Sequence, residues 1–286
     1  MVIGSLGYVI NDALVRRVTE NGLDVYQVLC IRSIAIAVLL AGLAAVRGEA
    51  TTRAHLRGPF LLRVAAEVTG AALFFAAIVQ MEFANAQAIL QIVPFAVTLA
   101  AALVLGERVA PAQYIAILVG FIGVLLIVRP ATDGFSAWSL MVVASAVFLV
   151  VRELATRDVP ADVPALSIAF ATAAGLAALT GAISIFTGWH SINLESAWLI
   201  ALSMVALVLG YLFSIQTVRV GDLSVSAPFR YSLLLGAVVM GYLLFDEVPD
   251  TLTVIGGSVI IGSGLLAIYL DRQRGGRADL PSSLPL

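Results

Sequence analysis

The chain reads as an all-α membrane protein, ten transmembrane helices forming a 5+5 inverted repeat around a central cavity. Three observations predict this. Hydrophobic residues make up 61% of the chain, charged residues 12%, and the mean hydropathy is +1.04, against about 45–50% and about 25% in an ordinary globular domain. Apolar stretches of spanning length recur from one end to the other. An acidic residue followed by a proline-containing turn closes two of them at the same offset.

A bilayer core about 30 Å thick needs about 20 apolar residues per helical crossing. The expected spans are Val2 to Val15, Tyr26 to Val46, Pro59 to Val79, Ala84 to Leu105, Ala112 to Val128, Trp138 to Val151, Pro164 to Phe186, Ser196 to Val218, Leu223 to Phe245 and Thr251 to Leu270. The first and sixth are short for a crossing and are read as helices nonetheless. The first lacks the basic leader and small-residue cleavage site of a signal peptide, so it is expected to be a true helix. Connections are short, and the polar end after Leu270 is rich in Pro and Ser, a composition that disfavours a packed core.

Every basic residue is arginine, and cytoplasmic loops carry the excess of such residues. With the N-terminus inside, Arg47, Arg53, Arg57, Arg63, Arg108, Arg152, Arg157, Arg219, Arg272, Arg274 and Arg277 fall on the cytoplasmic side. Only Arg16, Arg17 and Arg129 fall outside, while Arg32 and Arg230 lie within spans. The expectation is a multi-pass protein of a bacterial-type inner (plasma) membrane with both termini cytoplasmic.

A shift of 139 positions aligns the halves without a gap from Leu73 to Leu126, pairing Leu73 and Phe74 with Leu212 and Phe213, Glu107 with Asp246, and Gly123 with Gly262. Five spans per half is an odd number, so the second half must insert upside down. Inverted repeats suit alternating access, because two pseudo-symmetric halves can rock about a midplane site.

Gly106-Glu107 and Asp246-Glu247 at helix ends, Ile89-x-x-x-x-Pro94 in the fourth span, Gly120-Phe121-Ile122-Gly123-Val124 in the fifth and Ala227-Pro228-Phe229-Arg230-Tyr231 in the ninth resemble the EamA-type transporters of the drug/metabolite transporter superfamily. The resemblance covers the whole ordered chain. It implies residues 1–134 as one five-helix repeat, 135–272 as the second and 273–286 as a disordered cytoplasmic tail. It further implies a basket with the third, fourth, eighth and ninth helices among its walls, and members that export amino acids, including aromatic ones, or move vitamins, nucleotide-like metabolites and quaternary amines.

Polar side chains inside a span are costly and mark partners or cavities. In the fourth span Gln87, Gln91, Pro94 and Thr98 share one helical face, and the 139-residue shift sends Gln87 to Ser226 and Gln91 to Arg230. Gln87, Gln91, Arg230 and Tyr231 are therefore candidate cavity residues, joined by Tyr8 and Asn11, three apart on the first helix, and by the aromatics Phe74 and Tyr211, with Phe75 and Phe213 beside them. Arg230 offers a bidentate clamp for a substrate carboxylate, and an ion pair with Glu67 or snorkelling to the interface is its alternative. Pro94 and Pro228 are candidate hinges. Glu67 is read either as a proton carrier or as a structural ion pair with Arg63 in its own helix or with Arg32 reaching across.

The net charge of -2 gives no basic stripe, so nucleic acid is not an expected partner. Cys30 is the lone cysteine, excluding an intramolecular disulfide and a multi-Cys metal site. With no catalytic constellation, phosphate-cradling loop or metal-ligand cluster, neither cofactor nor enzymatic activity is expected. The favoured reading is a secondary transporter exporting amino acids. An uptake carrier for a vitamin or nucleotide-like metabolite stays open, as does a membrane enzyme built on Arg32, Glu67 and Arg230. The expected partners are a small-molecule substrate and the lipid bilayer, and monomer and homodimer both stay open.

Overall fold

The computed structural model describes residues 2–47, 58–106, 111–129, 136–160, 162–220 and 232–278, without the side chains of 112, 211, 212, 214–220, 268 and 270–278. Arg230, Tyr231 and Pro228 lie outside the described residues, as does the Tyr211 side chain. Eleven helical segments are described: α1 Val2–Glu20, α2 Val25–Arg47, α3 Gly58–Ile78, α4 Phe83–Leu90, α5 Val93–Val104, α6 Pro111–Val128, α7 Ala137–Arg157, α8 Ala165–Thr187, α9 Leu194–Val220, α10 Ser232–Phe245 and α11 Thr251–Ala278. No strand occurs among the described residues. Hydrocarbon offers no partner to backbone N–H and C=O groups, so a spanning segment must satisfy them internally, as a helix does.

Five helical stretches are long and apolar enough to cross a membrane: Val25–Arg47, Gly58–Ile78, Phe83–Val104 counted through its break, Ala137–Arg157 and Ala165–Thr187. Shorter apolar helices cover Gln113–Val128, Leu194–Gly210, Ser232–Phe245 and Thr251–Ala267. Helix ends depart from the apolar runs. α1 continues past Val15 through Arg16, Arg17 and Glu20, and α7 past Val151 to Arg157, because long charged side chains extend a helix into the headgroup zone without leaving water. α11 runs on to Ala278, into the segment expected as a tail.

The fourth span is two helices. Pro94 has no N–H to give and its ring crowds the carbonyl one turn back, so α4 ends at Leu90 and α5 restarts at Val93 with the proline in its first turn. Between them Gln91 N–H donates to Ala88 O and Ile92 N–H to Ile89 O, each at 3.1 Å, the tighter spacing of a terminating turn. The break also interrupts the expected polar face. Gln87 and Gln91 point inward, whereas Pro94 is exposed and the Thr98 hydroxyl donates to Pro94 O at 3.0 Å within α5.

α1 lies along α9 and α10, α3 along α7 and α8, α2 against α8 and α9, α5 and α4 against α7, and α6 against α11. Where α1 crosses α9 the backbones nearly touch: a Cβ on Gly7 would lie 2.7 Å from Gly210 Cα and 2.8 Å from Ala206 O. Small residues permit such approach, and with it the dispersion and polar contacts that replace the hydrophobic effect between helices in lipid. Gln27, buried on α2, holds the loop before α9 by exchanging two hydrogen bonds with the His190 backbone, Nε2 to O at 2.8 Å and N to Oε1 at 2.9 Å.

Gly7→Ala should destabilise the fold by about 1–3 kcal/mol, the usual cost of overpacking, because the clash is with backbone that cannot move aside. Gly42→Ala, with nothing within 4 Å of the added carbon, should be neutral. Thermal unfolding of the two detergent-purified variants followed by size exclusion compares them directly.

Candidate transport site

Polar groups converge where α1, α2 and α4 meet. Arg32 Nη1 donates to Asn11 Oδ1 at 2.6 Å, Asn11 Nδ2 donates to Asp12 Oδ1 at 2.9 Å, and Gln87 Nε2 donates to Asp12 Oδ2 at 2.8 Å. The guanidinium of Arg32 also lies 5.1 Å from the Phe75 ring centroid, within cation–π range. Phe74, a predicted wall residue, stands behind Phe75 in an edge contact at 5.5 Å. Asn11, Arg32 and Gln87 are buried, and Asp12 keeps partial exposure.

The order of the chain follows from donor and acceptor chemistry. Arg32 only donates, so Asn11 must turn its carbonyl oxygen toward it and its amide nitrogen toward Asp12. An arginine and a carboxylate are thereby joined through an amide, and among the described residues Asp12 makes no salt bridge. Two donors on these helices, Arg32 Nε and Gln91 Nε2, are fully buried atoms with no partner among the described residues. Gln91 is one turn beyond Gln87 on the same face of α4. Tyr8, one turn before Asp12 on α1, is half-buried.

Glu67 lies elsewhere. Its carboxylate is bound by Arg63 at 2.9 Å and by Arg152 of α7 at 3.2 Å, Arg152 also pairing with Glu153, and Arg63 donates to Thr172 of α8 at 3.3 Å. Arg32, considered above as a partner for Glu67, bonds Asn11 instead.

At the end where α1 finishes, the side chain of Glu247 joins three elements. Oε1 accepts from Arg16 at 2.5 Å and Oε2 from the Phe83 backbone N–H at 2.7 Å, at the start of α4, where a carboxylate complements the helix dipole. Arg16 also covers the Phe245 ring at 4.3 Å. Asp246 takes the left-handed conformation, φ 54°, ending α10 and turning Glu247 back so that its N–H reaches Gly241 O at 3.1 Å. Nearby Asp250 pairs with Arg129 and caps α11 through the Thr253 N–H at 2.9 Å. Burial alone would raise the Asp250 carboxyl, but its bonds from Thr253 and Arg129 outweigh that and hold it below its usual value. Glu82 is raised, first by desolvation and then by the charges of Glu247 and Asp250. Arg16, Gln80, Glu82, Asn85, Arg129 and Asp250 are among the residues that line a cleft of about 600 Å³.

Residues 1–129 match the family described as EamA-like transporter family. A pseudopaline exporter, CntI, of Pseudomonas aeruginosa strain UCBPP-PA14 is 30% identical over 96% of this chain and 95% of its own. The chain belongs to the EamA-like transporter family. A riboflavin transporter of Vibrio cholerae serotype O1 is 28% identical over 80% of this chain and 77% of its own, and an S-adenosylmethionine uptake transporter of Rickettsia prowazekii is 24% identical over 63% and 61%. A solved crystal structure superposes with a TM-score of 0.61 at 22% identity, covering 95% of this chain and 97% of that one, which supports the fold. The protein is thus a multi-pass membrane transporter of small metabolites, and its relatives' names include both export and uptake.

Asp12, Phe75 and Arg152 complete contacts that the sequence reading assembled only in part. Asp12 had a signal, an acid inside an apolar run beside an asparagine already singled out. Arg152 had none, since it reaches Glu67 from a distant part of the chain.

Glu82 is exposed and accepts from Asn85 Nδ2 at 2.8 Å, a bond that Glu82→Gln retains while removing the charge. A carboxyl raised on folding costs stability once it ionises. Glu82→Gln should therefore unfold at higher temperature than the wild type at neutral pH, and the difference should vanish as the pH falls below the carboxylate range. Melting curves across that range test the sign.

Proposed function

We propose that this protein is a secondary transporter that exports zwitterionic amino acids, aromatic and hydrophobic ones included, by alternating access of two inverted five-helix repeats. The observation that carries the reading is the Arg32–Asn11–Asp12–Gln87 chain, a cation and an anion held apart by an amide inside an apolar bundle. Asp12 suits a substrate ammonium, and the unpartnered Arg32 Nε and Gln91 Nε2 donors suit a carboxylate. Arg230, outside the described residues, is a second carboxylate clamp by its place in the repeat.

Helix packing supports the repeat. Exchanging α1, α2, α3, α4/α5 and α6 for α7, α8, α9, α10 and α11 turns the α1·α9 contact into α7·α3, α1·α10 into α7·α5, and α2·α9 into α8·α3, and it returns α2·α8 and α6·α11 to themselves; each of these contacts is present. Pro94 breaks the fourth span beside the polar chain, where discontinuous helices commonly build transporter sites. With both termini cytoplasmic, the Arg16–Glu247–Phe83 tie closes the external mouth. Glu67, bound to two arginines, serves as a brace between α3 and α7.

The exporter name of one relative favours outward transport. The riboflavin and S-adenosylmethionine names of others favour the second reading, an uptake carrier for a larger metabolite.

Purified protein in liposomes, tested for counterflow of labelled L-amino acids, riboflavin and S-adenosylmethionine, separates the two. Amino-acid counterflow should appear, and Arg32→Met should lower apparent affinity about ten- to a hundredfold, the worth of a charged hydrogen bond. Counterflow of riboflavin or S-adenosylmethionine without any amino acid selects the second reading.

A further inference from the structure

We propose that Asp12 is the proton-binding residue of this protein and that Gln87 reads its protonation state by turning its amide. An ionised carboxylate only accepts hydrogen bonds, and both amides around Asp12 present N–H to it. Uptake of one proton turns one oxygen into an O–H donor, which then faces an N–H donor unless an amide rotates. Asn11 is prevented from rotating, because its oxygen is committed to Arg32. Gln87 has no second hydrogen bond among the described residues, so the proton settles on Oδ2 and Gln87 swings its own oxygen to accept from it.

The charges around Asp12 leave room for this. From α2 comes Arg32, one amide removed. α3 contributes Phe75, while its Glu67 is bound by Arg63 of the same helix and by Arg152 of α7. α4 contributes uncharged Gln87. α10 carries no charged residue between Ser232 and Phe245, and Glu247 beyond it is bound to Arg16. On α9, Glu195 stands at the first turn and accepts from Asn21. On α1, Arg16 and Arg17 lie toward its end, where both pair with Glu20, and Tyr8 is one turn before. Among the described residues Asp12 is thus a carboxylate whose neighbouring cation acts through an intermediary, unlike Glu67.

The consequence is mechanical. Gln87 sits on α4, a helix of 8 residues that is separated from α5 by the proline break and held at its start by Glu247. Protonation of Asp12 exchanges the hydrogen bond that fastens this short helix to α1, and so gives the transport cycle a proton-dependent step. That last clause rests on the transporter reading; the titration of Asp12 does not.

Infrared difference spectra of the full chain in liposomes, stepped from neutral to acid pH, test the proposal with the proton as the only probe. A carboxylic C=O band should titrate in the wild type and in Glu67→Gln, together with a glutamine amide change of the same midpoint. Asp12→Asn should lose the band, and Asp12→Glu should keep it at a displaced frequency. Gln87→Leu removes both the charge-assisted bond to the ionised form and the weaker neutral bond that the turned amide makes to the protonated form, so the difference between the two should raise its midpoint, by about one pH unit, a tenfold change in proton affinity. The band persisting in Asp12→Asn, or an unmoved midpoint in folded Gln87→Leu, overturns the proposal. If Asp12→Asn does not assemble, an undisplaced band in Asp12→Glu overturns it equally. Titration as expected in a protein that moves no amino acid would remove the cargo assignment and leave the proton site standing.

Discussion

Hydrocarbon offers no hydrogen bonds, so each charged or polar side chain that α1, α2 and α4 carry inward must find its partner within the protein. Arg32 finds Asn11 and the face of Phe75, Asp12 finds two amides, and helix positions follow from these needs. α2 must bring Arg32 to the middle of α1. α4 must begin close enough to α1 for Gln87 to reach Asp12, and the break at Pro94 lets it do so without carrying all of the fourth span along. Close crossing of α1 and α9 at Gly7 and Gly210 fixes the same helix against α9.

Other charges are treated differently. Arg16 with Glu247, Arg129 with Asp250, and Arg63 and Arg152 with Glu67 are direct pairs, in which each ion neutralises the other and neither is spared for a ligand. Such pairs tie helices together: α1 to the α10–α11 turn, α6 to α11, α3 to α7. In the Arg32–Asn11–Asp12 chain a cation and an anion are instead kept apart by an amide. A site that must bind and release a charged molecule benefits from groups whose charge is not already spent on each other.

The five stretches long enough to cross are legible in the sequence, because twenty-residue apolar runs have few alternatives in a chain this hydrophobic. The ends of α1 and α7 were not, since arginine and glutamate prolong a helix after the apolar run stops. Pro94 was visible as a disruption, but whether a proline bends a helix or ends it depends on whether neighbouring turns find other partners, and here Gln91 and Ile92 close α4 instead. In the site, Asn11 and Gln87 follow from helical spacing alone. Asp12 shares the face of Tyr8 and Asn11, but its bond from Gln87 of α4 depends on packing that spacing along α1 does not show. The Glu67–Arg63 pair is local and follows i, i+4 spacing, while the Glu67–Arg152 pair depends on the packing of α3 against α7.

The central claim is that the Arg32 end of the chain receives a substrate carboxylate. It is tested most directly by equilibrium binding of the best-transported L-amino acid and of its methyl ester to purified wild type and to Arg32→Met. The wild type should prefer the free acid by about ten- to a hundredfold, the range for a charged hydrogen bond, and Arg32→Met should bind both alike. An undiminished preference for the free acid in folded Arg32→Met would place the carboxylate elsewhere and contradict the account.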